Sequence, residues 1–217
     1  MSHPLPTQIA LPLSAGTAAE ARRIIVGDAN AVVIEALQEP ARWPFHAAVL
    51  TGPPRSGKSL LARWAQGLAE PGQIDLIDNA ETCDETELFH RWNAVQQGGS
   101  REGTALLIVA NAEDKGWRIA LPDLASRIGG SLQLAIGAPD DAMMAELIHA
   151  LAEQRGLTLP EGAAEYCVPR TTRSFAAIEA LVSTIDRISL ERQSPATMSV
   201  WRAALEALHG PEQQRLF

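Results

Sequence analysis

The string GPPRSGKS at residues 52–59 leaves this chain few architectures. It fits GxxxxGK[ST], a glycine-rich turn whose successive backbone N–H groups make an anion-binding concavity. The apolar run from Ala47 to Leu50 enters the turn and reads as a short buried strand. Leu60, Leu61, Trp64, Ala65 and Leu68 leave it at helical spacing, until Pro71 and Gly72 stop the helix. In that strand, loop and helix context, unpaired N–H groups and the helix dipole both favour phosphate. Lys58 then reaches the β- and γ-phosphates and Ser59 is the Mg²⁺ ligand. Gly52, Pro53, Pro54, Arg55, Ser56, Gly57, Lys58, Ser59 and Leu60 form the expected nucleotide-contacting stretch.

The rest of the chain alternates in a way that suits this P-loop. RIIVGDANAVVIEALQ, residues 23–38, opens on a short apolar stretch, breaks at Gly27 and Asp28, and continues as a helix. A strand is expected at Gln73 to Asp78 and a helix near Asp84 to Gln97, where Asp84 and Glu87 have capping-box spacing. A continuous apolar strand runs from Ala105 to Ala110, followed by a short helical piece near Leu121 to Ile128 and a strand at Leu132 to Ile136. Strands alternating with helices predict an α/β fold with a parallel sheet covered on both faces. Beyond Pro139 only helical patterns recur: Met144 to Leu151, Phe175 to Ile188 and Val200 to Leu208. The resulting division is a flexible tail at 1–20, a P-loop base at 21–138, a helical lid at 139–210 and a C-terminal tail at 211–217.

Several polar residues fall where chemistry needs them. Asp78, at the carboxyl end of a neighbouring strand, can hold Mg²⁺, or else it caps the following loop. Asn79 follows it, so the second acid that would polarise a water is missing from its usual place, and nothing in the sequence positions Glu81 to replace it. Asn111, at the end of the long apolar strand, reads equally as a γ-phosphate contact and as a turn former. Arg127 ends the short helical piece and Arg173 opens the long lid helix; each reads as a phosphate contact or as a solvated side chain.

Composition narrows the function classes. In a chain of 217 residues, 46% hydrophobic and 20% charged, a soluble globular fold is expected. No run of eighteen apolar residues and no secretory leader pattern is found, so the cytoplasm is the expected location and no membrane partner is expected. A formal net charge of −8 opposes strong direct nucleic-acid binding and favours a protein or small-molecule partner. Cys83 and Cys167 lie far apart without metal-ligand spacing and read as small buried hydrophobes.

Together, VGDAN at 26–30, the P-loop, IDNAE at 77–81, LPDLASR at 121–127 and the helix near Arg173 resemble the AAA+ module of the DnaA initiator family, and more closely its shortened Hda-type branch, the regulatory inactivators. The resemblance spans most of residues 24–208. It implies an AAA+ base with a parallel sheet, a small all-helical lid, and adenine nucleotide as ligand, ADP or ATP with Mg²⁺. It implies Asp78 as the Walker B residue, Asn111 at sensor 1, Arg127 as an arginine finger acting on a neighbour's nucleotide, and Arg173 at sensor 2. QIALPL, with Gln8, Leu11 and Leu13, resembles the branch's peptide for the DNA polymerase sliding clamp. QQRLF at the C-terminus, with Gln213, Leu216 and Phe217, resembles a second such peptide, against the alternative that Leu216 and Phe217 cap the last helix.

One departure stands out. Few residues separate the P-loop helix from the Asp78 strand, where the family inserts a further strand and helix, so the sheet is expected to lack an edge strand. Polar Gln73 and Asp75 are expected to guard the strand thereby exposed. With the sequence ending near Phe217, the initiator's own DNA-binding helix-turn-helix domain is not expected. The expected function is regulation of DNA replication initiation, with weak or no intrinsic ATPase, retention of nucleotide (ADP first), and activation of DnaA's ATPase in trans. Self-association is open. The alternatives are a self-sufficient P-loop ATPase or small-molecule kinase, and a clamp-binding adaptor without nucleotide turnover.

Overall fold

A computed structural model describes residues 8–9, 24–97, 104–111 and 117–209. The chain divides into two compact units, 28–137 and a second made of 1–27 with 138–217. Its crossings fall at Gly27/Asp28, inside the VGDAN string, and at Gly137/Ala138.

In the second unit, β1 (Gln8–Ile9) pairs antiparallel with β2 (Ile24–Ile25), Gln8 opposite Ile25 and Ile9 opposite Ile24. Two residues of the segment expected to be a free tail are therefore strand, because pairing satisfies backbone groups that an extended segment would otherwise leave to water. Leu11, Leu13, Gln213, Leu216 and Phe217 lie outside the described residues.

The 28–137 unit begins with α1 (Ala31–Leu37), then β3 (Ala47–Thr51), α2 (Lys58–Leu68), β4 (Ile74–Ile77), α3 (Glu85–Gln96), β5 (Ala105–Val109), α4 (Pro122–Gly130) and β6 (Leu132–Ala135). The four strands β3 to β6 form one parallel sheet in the order β4-β5-β3-β6. Every residue of β5 is buried. Alternate residues of a strand face opposite sides, so a strand buried throughout needs cover on both. Leu88, Trp92 and Val95 of α3 and Leu124 and Ile128 of α4 pack with Leu106 and Ile108 on one face. On α2, the buried Leu61, Ala62, Trp64 and Ala65 form the opposing apolar stripe. Asp84 caps α3, its carboxylate accepting the N–H groups of Thr86 at 2.8 Å and Glu87 at 3.0 Å. These bonds to its charged form hold the Asp84 carboxyl below the usual range.

β4 is the edge strand, as the short connection predicts, and the structure guards it by a route the sequence reading missed. Gln73 O accepts the N–H of Ala105 at 2.8 Å, so by alternation the carbonyls of Ile74 and Leu76 point away from β5. Both are capped by side chains. Gln66 Nε2 donates to Ile74 O at 3.1 Å, and Arg91 Nη2 donates to Leu76 O at 3.1 Å. Asp75 does not work alone as an outward charge. It pairs with Arg91 through Nε at 2.9 Å and through Nη2, and so holds the guanidinium against the strand edge.

The helical part of the other unit comprises α5 (Asp141–Gln154), α6 (Ala163–Cys167), α7 (Phe175–Glu191) and α8 (Met198–His209). Ile148, Ile178, Leu181, Ile185 and Trp201 are fully or almost fully buried in its core, and Trp201 Nε1 donates to Ala196 O at 3.0 Å, so its one polar atom is satisfied. α6, too short to show periodicity, was not anticipated. Cys167 is buried there, as expected, and burial pushes its thiol up to about 11 against a smaller opposing pull from Arg170. Cys83, expected to be buried as well, is half-buried. No helix among the described residues is long and apolar enough to cross a membrane.

Two outcomes follow from this packing. Arg91→Ala uncaps Leu76 O and unpairs Asp75. Because both partners of the ion pair are about a third exposed, the loss in denaturant-measured stability should be only about 1 kcal/mol, while light scattering should report faster aggregation through the bared edge. A thiol reagent at neutral pH should label Cys83 in the native protein and Cys167 only after unfolding, which peptide mapping reads directly.

Candidate functional site

β3 delivers the chain to the P-loop at its carboxyl end, and α2 receives it. Between them the backbone turns sharply. Gly57 precedes α2 in a left-handed conformation with φ 83°, which costs glycine nothing. At Gly52 the reason for glycine is space: a Cβ there would meet Ile136 Cβ at 2.9 Å and Ser56 Oγ at 3.1 Å. The loop is thus pressed against the end of β6, and only a residue without a side chain fits.

Lys58 is buried, 6% exposed, and its Nζ donates to Gly52 O at 3.0 Å and Pro53 O at 2.9 Å. Burial pulls the Lys58 ammonium below its ordinary pKa, while the carboxylates of Glu81 and Asp78 oppose that pull. The ammonium is accordingly a charge in a confined, partly desolvated place, where its attraction for phosphate is strongest. Ser56 is also buried, and its Oγ has no hydrogen-bond partner among the described residues. A buried hydroxyl without a partner among the described residues, in the same loop as a desolvated ammonium, fits an anionic group bound there.

Ser59 and Asp78 are brought together across nineteen residues of sequence. Ser59 Oγ donates to Asp78 Oδ1 at 2.9 Å, and the backbone N–H of Asn79 donates to the same oxygen at 3.1 Å. A hydroxyl and a carboxylate in contact at the mouth of a P-loop are the two oxygen donors from which Mg²⁺ is commonly held beside substrate phosphates. Arg63, one turn beyond Ser59 on α2, reaches Asp78 Oδ2 at 3.4 Å. The i, i+4 spacing from Ser59 was the only available signal for it.

Asn79 takes a left-handed conformation, φ 57° and ψ 49°, which asparagine tolerates better than most residues. That turn carries Glu81 to the end of β5. There Asn111 grips it twice: its backbone N–H donates to Glu81 Oε2 at 3.1 Å, and its side-chain amide donates to Glu81 Oε1. Glu81, which nothing in the sequence positioned, is thus positioned by the fold. Desolvation raises its pKa, but hydrogen bonds from its own backbone and from Asn111, with the charge of Lys58, outweigh it and hold the carboxyl below the usual range.

The two arginines are both engaged within their own units. Arg127, in the last turn of α4, donates through Nη1 to Asn93 and through Nη2 to Asp123 at 3.1 Å, and its side chain is 29% exposed. Arg173 does not open the long lid helix. α7 begins at Phe175 behind the N-cap Ser174, and Arg173 precedes that cap. Its Nη2 pairs with Asp141 Oδ1 at 2.6 Å, at the start of α5, with the Arg173 side chain 59% exposed.

Residues 140–205 match the family described as Hda, lid domain. An uncharacterized protein of Haemophilus influenzae is 27% identical over 127 residues, 58% of this chain and 54% of that protein, so the chain spans about half the length of the curated relative it matches. Among solved structures, domain III of the Thermotoga maritima replication initiation protein DnaA superposes with a TM-score of 0.68 at 16% identity, covering 84% of this chain and 93% of that one. AMPPCP-bound DnaA from Aquifex aeolicus gives 0.58 at 16% identity, covering 78% and 66% of the two chains. The Thermotoga maritima RuvB branch migration motor gives 0.61 at 16% identity, covering 84% and 70%. Residues 140–205 are thus a lid of the Hda kind, and the chain as a whole has the fold of DnaA domain III.

Proposed function

We propose that this chain is an Hda-like regulator of DNA replication initiation that binds adenine nucleotide and Mg²⁺ at residues 52–60, docks on the sliding clamp, and stimulates ATP hydrolysis on DnaA in trans. The observation that carries the reading is the match of residues 140–205 to the Hda lid family on a base whose P-loop is complete. The AMPPCP complex of a DnaA with the same fold supports an adenine nucleotide as the ligand. Domain limits of 21–138 for the base and 139–210 for the lid go with it.

In this reading Lys58 and the loop amides neutralise the phosphates, and Ser59 and Asp78 hold the metal. Bound Mg²⁺ supplies charge neutralisation across the phosphate oxygens. Asn111 and Arg173 are nucleotide-sensing contacts. Asn79 in place of an acid, and a Glu81 whose two oxygens are both occupied by Asn111, support slow turnover and retention of nucleotide, ADP first. Arg127 is the group offered to a neighbour's nucleotide, where a guanidinium stabilises charge developing on the transferred phosphoryl group. Gln8, Leu11 and Leu13 form the clamp-binding peptide, with Gln213, Leu216 and Phe217 as a second candidate.

Two measurements test these assignments. Lys58→Ala should lower affinity for Mg-ADP by on the order of a hundredfold, two charge-assisted hydrogen bonds' worth, in calorimetry; binding equal to that of the parent chain would remove the P-loop assignment. ATP hydrolysis by DnaA, assayed with clamp on DNA and this chain, should rise well above the DnaA-only rate. Arg127→Ala should cancel the rise by roughly a thousandfold in rate, and Gln8→Ala should weaken it through lost clamp binding. Appreciable turnover by the isolated chain with no stimulation of DnaA would favour a self-sufficient ATPase instead.

A further inference from the structure

The guanidinium of Arg127 is held more completely than a merely solvated side chain would be. Its carbon lies 4.6 Å from the centre of the Phe89 ring and 4.9 Å from that of Trp92, within cation–π range of both. Asn93 Oδ1 accepts from Nη1, and Asp123 Oδ2 accepts from Nη2. Phe89, Trp92 and Asn93 all belong to α3, so a single helix provides two aromatic contacts and one of the two acceptors.

The same face of α3 holds the rest of α4. Glu85 accepts the N–H of Ala120 at 2.7 Å and that of Leu121 at 2.8 Å, just before α4 begins. Trp92 Nε1 donates to Ser131 Oγ at 3.3 Å, just after α4 ends, and Ser131 Oγ donates back to Arg127 O at 3.1 Å. Residues 85, 89, 92 and 93 recur at the spacing of one helix face. α3 therefore fixes α4 at its start, at Arg127 and at its end.

A guanidinium cannot give the same N–H groups to Asn93 and Asp123 and to a phosphate on another molecule. Two of its five N–H groups go to Asn93 and Asp123 and the Nε–H is buried, so presenting the whole fork to a phosphate means leaving this seat. The seat is also incomplete, since Arg127 Nε is buried without a hydrogen-bond partner among the described residues, so the docked position has an unmet donor that favours exchange.

We infer that the α3 face formed by Phe89, Trp92 and Asn93 is a dock that withholds Arg127, and that Asn93 is a positioning residue whose hydrogen bond is exchanged for phosphate when the arginine engages a neighbour's nucleotide. The inference rests on the reading of Arg127 as the group acting in trans and adds how that group is regulated. The balance is set on the chain's own surface: tightening the dock withholds the arginine and loosening it releases it.

The test uses opposite changes at one position in the full-length chain. Asn93→Asp places a full carboxylate against the guanidinium, and Asn93→Ala removes the acceptor. Each is assayed for stimulation of DnaA ATP hydrolysis with clamp and DNA, and for the rate at which phenylglyoxal modifies Arg127, mapped by peptide mass; melting curves confirm the fold. Asn93→Ala should speed modification, and should lower the concentration of chain giving half-maximal stimulation, each by on the order of tenfold, the effect of one hydrogen bond to a charged group. Asn93→Asp should move both readouts the other way. A merely structural asparagine would give two variants impaired in the same direction. If Arg127→Ala abolishes stimulation but the two Asn93 variants shift together or not at all, the dock is overturned while the role of Arg127 stands. If Arg127→Ala stimulates as well as the parent chain, the trans-acting role fails and the dock falls with it.

Discussion

The turn from β3 into α2 exists because Gly52 lies against Ile136 with no room for a Cβ between them. That contact presses the loop onto the end of β6 and closes it around Lys58. Once closed, the loop buries an ammonium against the carbonyls of Gly52 and Pro53, and leaves the Ser56 hydroxyl inside with no partner among the described residues. Both groups are costly to bury unless something anionic completes the arrangement. The remaining site residues collect at the same end of the parallel sheet, because every strand points its carboxyl end there: Asp78 after β4, Asn111 after β5 and Ser59 at the start of α2.

A second organising element is α3, which serves both ends of its surroundings. Through Arg91 it meets the exposed edge of β4, where a carbonyl that would otherwise invite another strand is capped by a guanidinium. Through Glu85, Phe89, Trp92 and Asn93 it fixes α4 and seats Arg127. A sheet that ends at β4 thus has its edge closed by side chains of α2 and α3, and α3 also seats Arg127.

Much of the base was legible because its signals are local. The GxxxxGK[ST] spacing between an apolar run and a helical stripe located the loop, and β5 appeared as an unbroken apolar string because both its faces are covered. The short connection before β4 correctly implied an edge strand. What local pattern could not reach was any pairing between distant segments. Glu81 had no visible partner until the left-handed Asn79 turned the chain toward Asn111, thirty residues on. Asp75 was read as a bare edge charge because its partner Arg91 lies on a different element. Arg173 was read as opening the long helix, whereas Ser174 caps α7 and the helix starts at Phe175, two residues later.

The order of the sheet strands along the chain, the glycine-rich loop and the helical character of residues 141–209 were determined by the sequence itself, since glycine placement and apolar periodicity act within a few residues of where they are written. The grip of Asn111 on Glu81, the capping of Leu76 O by Arg91 and the seating of Arg127 on Phe89 and Trp92 were decided only by the tertiary structure. Each depends on a side chain crossing between elements, and the direction a side chain takes is set by the packing of the helix or strand that carries it.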